Sequence, residues 1–374
     1  MTLGTAVTIS DSHLSRRAVP PQGLALFNFV NLLFGCKGNM EFCHNRDFRP
    51  RLALFAVIVV LVLPTLAAAQ SPLKVRAAYG AMSAAMAPLW YAQDANLFDK
   101  FGVHVELLYI QGQPIALPAL VTKEIDVLLT SGGSAVPFIM NGLPLTMVAN
   151  LNNIQPYRLL VAPEIKTARD LRGKKMAVSR IGATSHQLAV MSLEKLGLKA
   201  NDVTYLQVGG QSERLAALKV RAVDATLINP PANLTARKLG FNEIFDLKEL
   251  GENFLFQVLV TRKTDSDMKA EWLQRFIKMT MESVRLMKAD QQNTIRIIGK
   301  YLKETDREAL EESFKVHALS MVDYPLVSRT AVEDAYSDAL KALKGTAPRN
   351  TNIDSMYDNS LLQNIKGEAQ SGKK

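Results

Sequence analysis

Slid against itself by 98 residues, the chain matches without a gap: Ile110–Gly133, IQGQPIALPALVTKEIDVLLTSGG, lies over Val208–Pro231, VGGQSERLAALKVRAVDATLINPP. Gly112/Gly210, Gln113/Gln211, Leu117/Leu215, Ala119/Ala217, Leu120/Leu218, Asp126/Asp224 and Leu129/Leu227 are identical, while Ile110/Val208, Lys123/Arg221 and Ile125/Val223 are conservative. Each copy reads as a strand end, a glycine turn, a helix and a second strand that starts at its aspartate. Two generic strand–helix–strand units can coincide by chance, but a true repeat restricts the fold to two halves of one architecture.

The rest of the chain keeps the same rhythm. Lys74–Tyr79, Val103–Ile110, Ile125–Thr130 and Leu145–Leu151 are short apolar runs bounded by Gly, Pro or Asn, as are Tyr157–Ala162, Lys175–Ser179, Val203–Val208 and Ala225–Ile228. Helix-length segments separate them, among them an amphipathic stretch from about Thr184 to Leu196. Strands alternating with helices predict an α/β fold whose parallel sheets are covered on both faces. From Asp267 to Leu343 the pattern turns helical, and the closing Gln370–Lys374 is too polar to fold.

Before this region comes Leu52–Ala69, LALFAVIVVLVLPTLAAA, preceded by Arg46, Arg49 and Arg51 and ending in Ala67-x-Ala69. A basic start, an apolar middle and a small-residue exit describe a secretory signal peptide cleaved after Ala69, with Pro64 counting against a membrane anchor. No Cys follows the Leu66–Ala69 run, so the lipid-attachment signal is missing and a soluble, exported protein is expected. A signal peptide belongs at a chain start, which makes Met40 the expected first residue. Cleavage removes six basic and three acidic residues, so the charge of +9 falls to +6, and it removes both cysteines, Cys36 and Cys43. A mild positive balance without basic blocks is weak evidence for a nucleic-acid partner, so none is expected, and it permits an anionic ligand. A chain without thiols suits an oxidising compartment.

In open α/β sheets, ligands gather beyond the carboxyl ends of strands, where helix N-termini present free backbone N–H groups. Four small, polar loops fall at such places: Gly80–Pro88, Ser131–Ser134, Ser179–His186 and Asn229–Pro231. Ser134, Thr184 and Ser185 have the chemistry of helix caps as well as of ligand donors. Arg180 is either a solvated loop charge or the counter-ion of an anion. His186, Trp90 and Tyr91 read as packing residues. Two prolines after Asn229 remove backbone donors there, so an anion is better held at Gly182–Ser185.

With the signal peptide, the segments APLWYAQDANLFDKFGVHVEL (Ala87–Leu107), EIDVLLTSGGS and DLRGKKMAVSRIGATS (Asp170–Ser185) resemble periplasmic substrate-binding proteins of the nitrate/taurine/sulfonate type. The resemblance runs from Leu73 to Leu343. It implies a type 2 periplasmic binding fold, in which two doubly wound α/β lobes are joined by a double hinge near Asn150–Pro156 and Glu252–Val258. The implied domains are 1–69 as N-terminal extension and signal peptide, 70–153 as lobe 1, 154–255 as lobe 2, 256–345 as a helical return to lobe 1 and 346–374 as a tail. By position, the ligand-lining residues fall on Ser83, Met86, Gln113, Gly132, Ser134, Arg180, Thr184, Ser185 and Asn229. The implied partners are a small-molecule ligand and an ABC permease with its ATPase, the protein itself being a monomer without cofactor.

The same fold also resembles the synthases that make the thiamine pyrimidine. Those carry a cysteine-rich iron motif, whereas here the chain after residue 69 has no Cys and only His104, His186 and His317. A periplasmic sensor presenting its ligand to a different membrane partner is the other alternative. A hydrolase lacks its Gly-x-Ser-x-Gly elbow.

Overall fold

The computed structural model describes residues 73–251, 253–342 and 347–371. The signal peptide, its cleavage site and Met40 lie outside the described residues. Among the described residues there are ten strands: β1 (Leu73–Tyr79), β2 (Val103–Tyr109), β3 (Val127–Thr130), β4 (Leu145–Asn152), β5 (Arg158–Val161), β6 (Lys175–Val178), β7 (Thr204–Gln207), β8 (Ala225–Ile228), β9 (Asn242–Asp246) and β10 (Gln257–Arg262). They form two five-stranded sheets, β2-β1-β3-β10-β4 and β7-β6-β8-β5-β9. The helices used below are α1 (Ala87–Asp94), α2 (Gln113–Val121), α3 (Gly132–Met140), α4 (Thr184–Lys195), α5 (Gln211–Lys219), α6 (Ala232–Lys238), α7 (Glu271–Ala289), α8 (Gln291–Leu302), α9 (Arg307–Ser313), α10 (Arg329–Ala342) and α11 (Ser360–Ser371).

The two sheets repeat one another place by place. In each, the first three strands are parallel, and the fourth runs antiparallel to both its neighbours. The sheets are therefore mixed, a correction to the wholly parallel expectation. The fourth place is filled from across the molecule, by β10 in the first sheet and β5 in the second. A strand arriving directly from the other sheet, without a helical crossover, is free to enter in the opposite direction. The strands β9 and β10 were not anticipated from the sequence pattern.

The 98-residue repeat is structural. Asp126 and Asp224 each stand just before their strand and accept a backbone N–H from the neighbouring one, Arg76 at 2.9 Å and Lys175 at 2.8 Å, while returning their own N–H at 2.8 Å. Lys123 and Arg221, just past α2 and α5, both adopt left-handed backbone, with φ of 62° and 60°. One local solution for ending a helix and entering a strand is used twice.

Two segments connect the sheets, 153–157 after β4 and 247–256 before β10, and they lie side by side. The Phe254 N–H donates to Asn153 O at 3.0 Å, the Phe256 N–H to Asn152 O at 3.1 Å, and Asn150 Nδ2 to Phe254 O at 3.1 Å. Behind the first sheet α7 buries Leu273, Phe276, Ile277, Thr280, Val284 and Met287, a three-and-four spacing that makes one apolar face. That face joins the core containing α1, where Trp90 stacks on Tyr301 of α8 at 4.9 Å. Full burial of Phe276 alone is worth about 2 to 3 kcal/mol.

Residues 346–374 were read as a tail, but α11 lies within them and buries Leu361 and Leu362 completely. Two adjacent leucines in a polar stretch are enough to dock a helix when a prepared apolar surface meets them. Among the described residues no helix is long and apolar enough to cross a membrane.

Candidate functional site

The carboxyl ends of the parallel strands in the two sheets face each other, and the loops that follow them enclose a cavity of about 60 Å³. One wall comes from the first half through Gly80, Tyr109, Gln111, Gly112 and Gln113. The other comes from the second half through Tyr157, Ser179, Thr184, Ser185, Gln211 and Arg214. Both β-to-helix turns of the repeat therefore line it, and Gln113 and Gln211, the first residues of α2 and α5, stand on opposite walls.

Around this cavity the two halves are hydrogen-bonded directly. Gln113 Nε2 donates to Thr184 Oγ1 at 2.9 Å and to Thr130 Oγ1 at 2.6 Å, while the Thr184 N–H points back to Gln113 Oε1 at 3.4 Å. Ser134 Oγ lies 3.0 Å from Thr184 Oγ1 and donates to Gln187 Oε1 at 2.8 Å. Ser83 Oγ donates to Asn229 Oδ1 at 3.2 Å. Thr184 is the hub of this seam, meeting two first-half side chains while also facing the cavity.

The expected ligand residues separate into three groups. Gln113, Thr184 and Ser185 line the cavity; Ser185 Oγ also accepts the Ser179 N–H at 2.8 Å and so fixes the loop before α4. Ser83, Ser134 and Asn229 are buried in the seam between the halves rather than on the cavity wall. Met86 and Gly132 pack. Met86 sits in the core beneath the first sheet, and a Cβ on Gly132 would stand 2.6 Å from Leu255 Cβ, so only glycine lets α3 start against the crossover. Arg180 lies beside the cavity: its stem covers Gly112, where a Cβ would meet Arg180 Cδ at 3.1 Å, and its buried Nε has no partner. His186 packs edge-on against Tyr205, its Nδ1 accepting the Gly182 N–H at 3.2 Å.

The residue that the sequence reading passed over is Arg214. It is 3% exposed on the inner face of α5. Nε donates to Gly210 O at 3.3 Å, and Nη1 donates to Leu227 O at 2.7 Å and to Thr226 Oγ1 at 3.4 Å. All three acceptors are neutral, and no carboxylate pairs with it among the described residues. Burial lowers its pKa from the ordinary arginine value, and an arginine guanidinium stays a cation in proteins. Next to it, burial raises the pKa of Tyr157, which the charge of Arg214 partly offsets. A buried cation held by neutral oxygens is costly until an anion meets it, and a guanidinium fork matches two oxygens of a planar or tetrahedral oxyanion. A signal was available in the repeat. Arg214 occupies the place of Ala116, three residues after the paired glutamine, on the helix face that Leu215 and Leu218 mark as buried.

Residues 83–294, more than half of the chain, match the family described as NMT1/THI5 like. The chain belongs to the NMT1/THI5-like family. The matched span contains the cavity wall of both halves from Tyr109 to Arg214. Among solved structures, this family member resembles a protein from Bordetella bronchiseptica RB50 with a TM-score of 0.69 at 19% identity, covering 79% of this chain and 98% of that one. It also resembles the alkanesulfonate-binding protein SsuA from Xanthomonas axonopodis pv. citri, solved bound to MOPS, with a TM-score of 0.65 at 18% identity and coverages of 78% and 100%. The periplasmic nitrate-binding protein NrtA from Synechocystis PCC 6803 gives 0.64 at 14% identity, with coverages of 79% and 88%. These likenesses establish the fold as that of periplasmic binding proteins. Among curated proteins, none matches the chain in sequence.

Proposed function

We propose that this protein is the periplasmic solute-binding component of an ABC importer, a monomer that captures a small anion and delivers it to an inner-membrane permease and its ATPase. The observation that carries the reading is Arg214, a buried cation with no acidic partner among the described residues, facing a cavity between two halves of a binding-protein fold. Residues 70–153 with 256–345 form one lobe in this reading and 154–255 the other, turning about the paired crossovers. The ligand docks on Arg214 and the Gln211 turn. Closure then forms the Gln113–Thr184, Ser134–Gln187 and Ser83–Asn229 bonds, burying it. Two of the named solved structures are an alkanesulfonate-binding and a nitrate-binding protein, which supports an oxyanion as cargo. Nothing in this mechanism calls for covalent chemistry, and among the described residues no cluster of three acids, histidines or cysteines stands ready to hold a metal.

Thermal unfolding of the purified protein against nitrate, sulfonates, carboxylates and thiamine-related pyrimidines tests the proposal. A ligand at 100 times its Kd adds about 2.7 kcal/mol, a rise of several degrees. Arg214→Met is expected to abolish the rise while changing the stability of the unliganded protein little, because it removes a buried charge without an acidic partner but also three hydrogen bonds to buried or half-buried acceptors. A pyrimidine that stabilises both forms equally, with anions inert, overturns the reading.

A further inference from the structure

Resting on the importer reading, we propose that the site selects anions bearing no cationic group, so that an ammonium on the ligand, as in taurine or an amino acid, is rejected. The cavity wall contains one charged side chain, Arg214, and no carboxylate. An ammonium brings three donors and needs acceptors, preferably charged ones, wherever it is buried. Two of the neutral amide acceptors on the wall are already used. Gln211 Oε1 accepts the Asn229 N–H at 2.7 Å, and Gln113 Oε1 accepts the Thr184 N–H at 3.4 Å. Gln211 Nε2 and Ser83 Oγ both donate to Asn229 Oδ1, and Asn229 Nδ2 is buried with no partner. At Asn229 the seam thus has a spare donor while its amide oxygen is already used twice. Arg180 adds a second cation behind Gly112; burial raises the pKa of Tyr109 at the wall, and Arg180 offsets a small part of that rise.

The acid nearest to this wall is Glu213. It is solvent-exposed, with its carboxylate over the lining residue Gly210 at the rim, and it acts electrostatically on both Tyr109 and Arg214. An ammonium bound there would stay in water and gain little from the pair. The chemistry inside the cavity therefore separates ligands that are alike in size and in their acidic group.

Calorimetric titration with matched pairs tests this: ethanesulfonate against taurine, acetate against glycine, with nitrate as an ammonium-free inorganic anion. The member without ammonium is expected to bind at least about 100-fold more tightly, the order of effect for burying an unpaired charge. Glu213→Gln should leave that ratio unchanged, and Gln111→Glu, which puts a carboxylate on the wall, should bring taurine to within about tenfold of ethanesulfonate. Taurine or glycine binding as tightly as its partner overturns the selectivity while the importer reading stands. A ratio that changes in Glu213→Gln overturns it too, by showing that the rim acid receives the ammonium. If neither member of any pair binds and nitrate is also inert, the importer reading falls and the selectivity with it.

Discussion

The two copies of the repeat share a backbone plan and part company at the residues that face the cavity. Asp126 and Asp224 make the same strand contact, and Lys123 and Arg221 the same left-handed turn. Yet Gln113 reaches across to Thr184 in the other half, while Gln211 stays in its own half on Asn229. Where one copy has Ala116 the other has Arg214, and where one starts its next helix with Ser131-Gly132 the other has Asn229-Pro230. The scaffold was used twice, but the charge was placed once. On the importer reading, a ligand would be held first by the half with the cation and enclosed by neutral hydrogen bonds from the other.

The asymmetry can be broken first at Pro230. Its carbonyl lies 3.2 Å from Nε2 of His317, a fully buried imidazole that burial holds down at about 4. The folded state keeps this histidine neutral between about 4 and its ordinary value near 6.5, where the unfolded chain takes up a proton. Stability is therefore complete above pH 6.5 and falls as the pH drops towards 4, by up to about 3 kcal/mol. Denaturant titrations across that range should show the loss, and His317→Gln, which keeps the donor and removes the titration, should flatten it.

A smaller effect is expected at the seam. Thr184→Val removes the hydroxyl that meets both Gln113 and Ser134, and anion affinity should fall about tenfold, the worth of one or two neutral hydrogen bonds. Small-angle scattering should find the liganded variant more open than the parent. An unchanged affinity would mean that the seam does not take part in closure.

The paired glycines give the smallest and sharpest comparison. Gly112 has φ of +86° and is covered by Arg180, so Gly112→Ala should cost about 1 to 2 kcal/mol of thermal stability. Gly210 has φ of −67°, and its close neighbour is the flexible end of Glu213, so Gly210→Ala should change stability by about 0.5 kcal/mol or less. Equal costs would show that the two turns are alike in the folded protein after all.

Much of the fold was legible because it rests on local patterns. Strand periodicity placed β1 to β8 within a residue or two, and the repeat announced two like halves. β9 and β10 escaped because their assignment depends on a neighbouring edge or gap: NEIFD alone is a weak strand, and Gln257–Arg262 becomes the antiparallel fourth strand only once β3 and β4 flank it. α11 escaped for a similar reason, since Leu361 and Leu362 form no stripe until β4 and its surroundings offer a surface.

At the site, the sequence determined which loops meet, since glycine turns, caps and strand ends are local chemistry. Position along those loops could not separate Thr184, which faces the cavity, from Met86 and Gly132, which pack, or from Ser83 and Asn229, which join the halves. Only the tertiary structure decided those roles, and only it revealed Arg214 as an unpaired cation. The charge of an arginine is written in its sequence, but whether that charge is met by water, a carboxylate or a bare cavity wall depends on what the rest of the chain brings to its side.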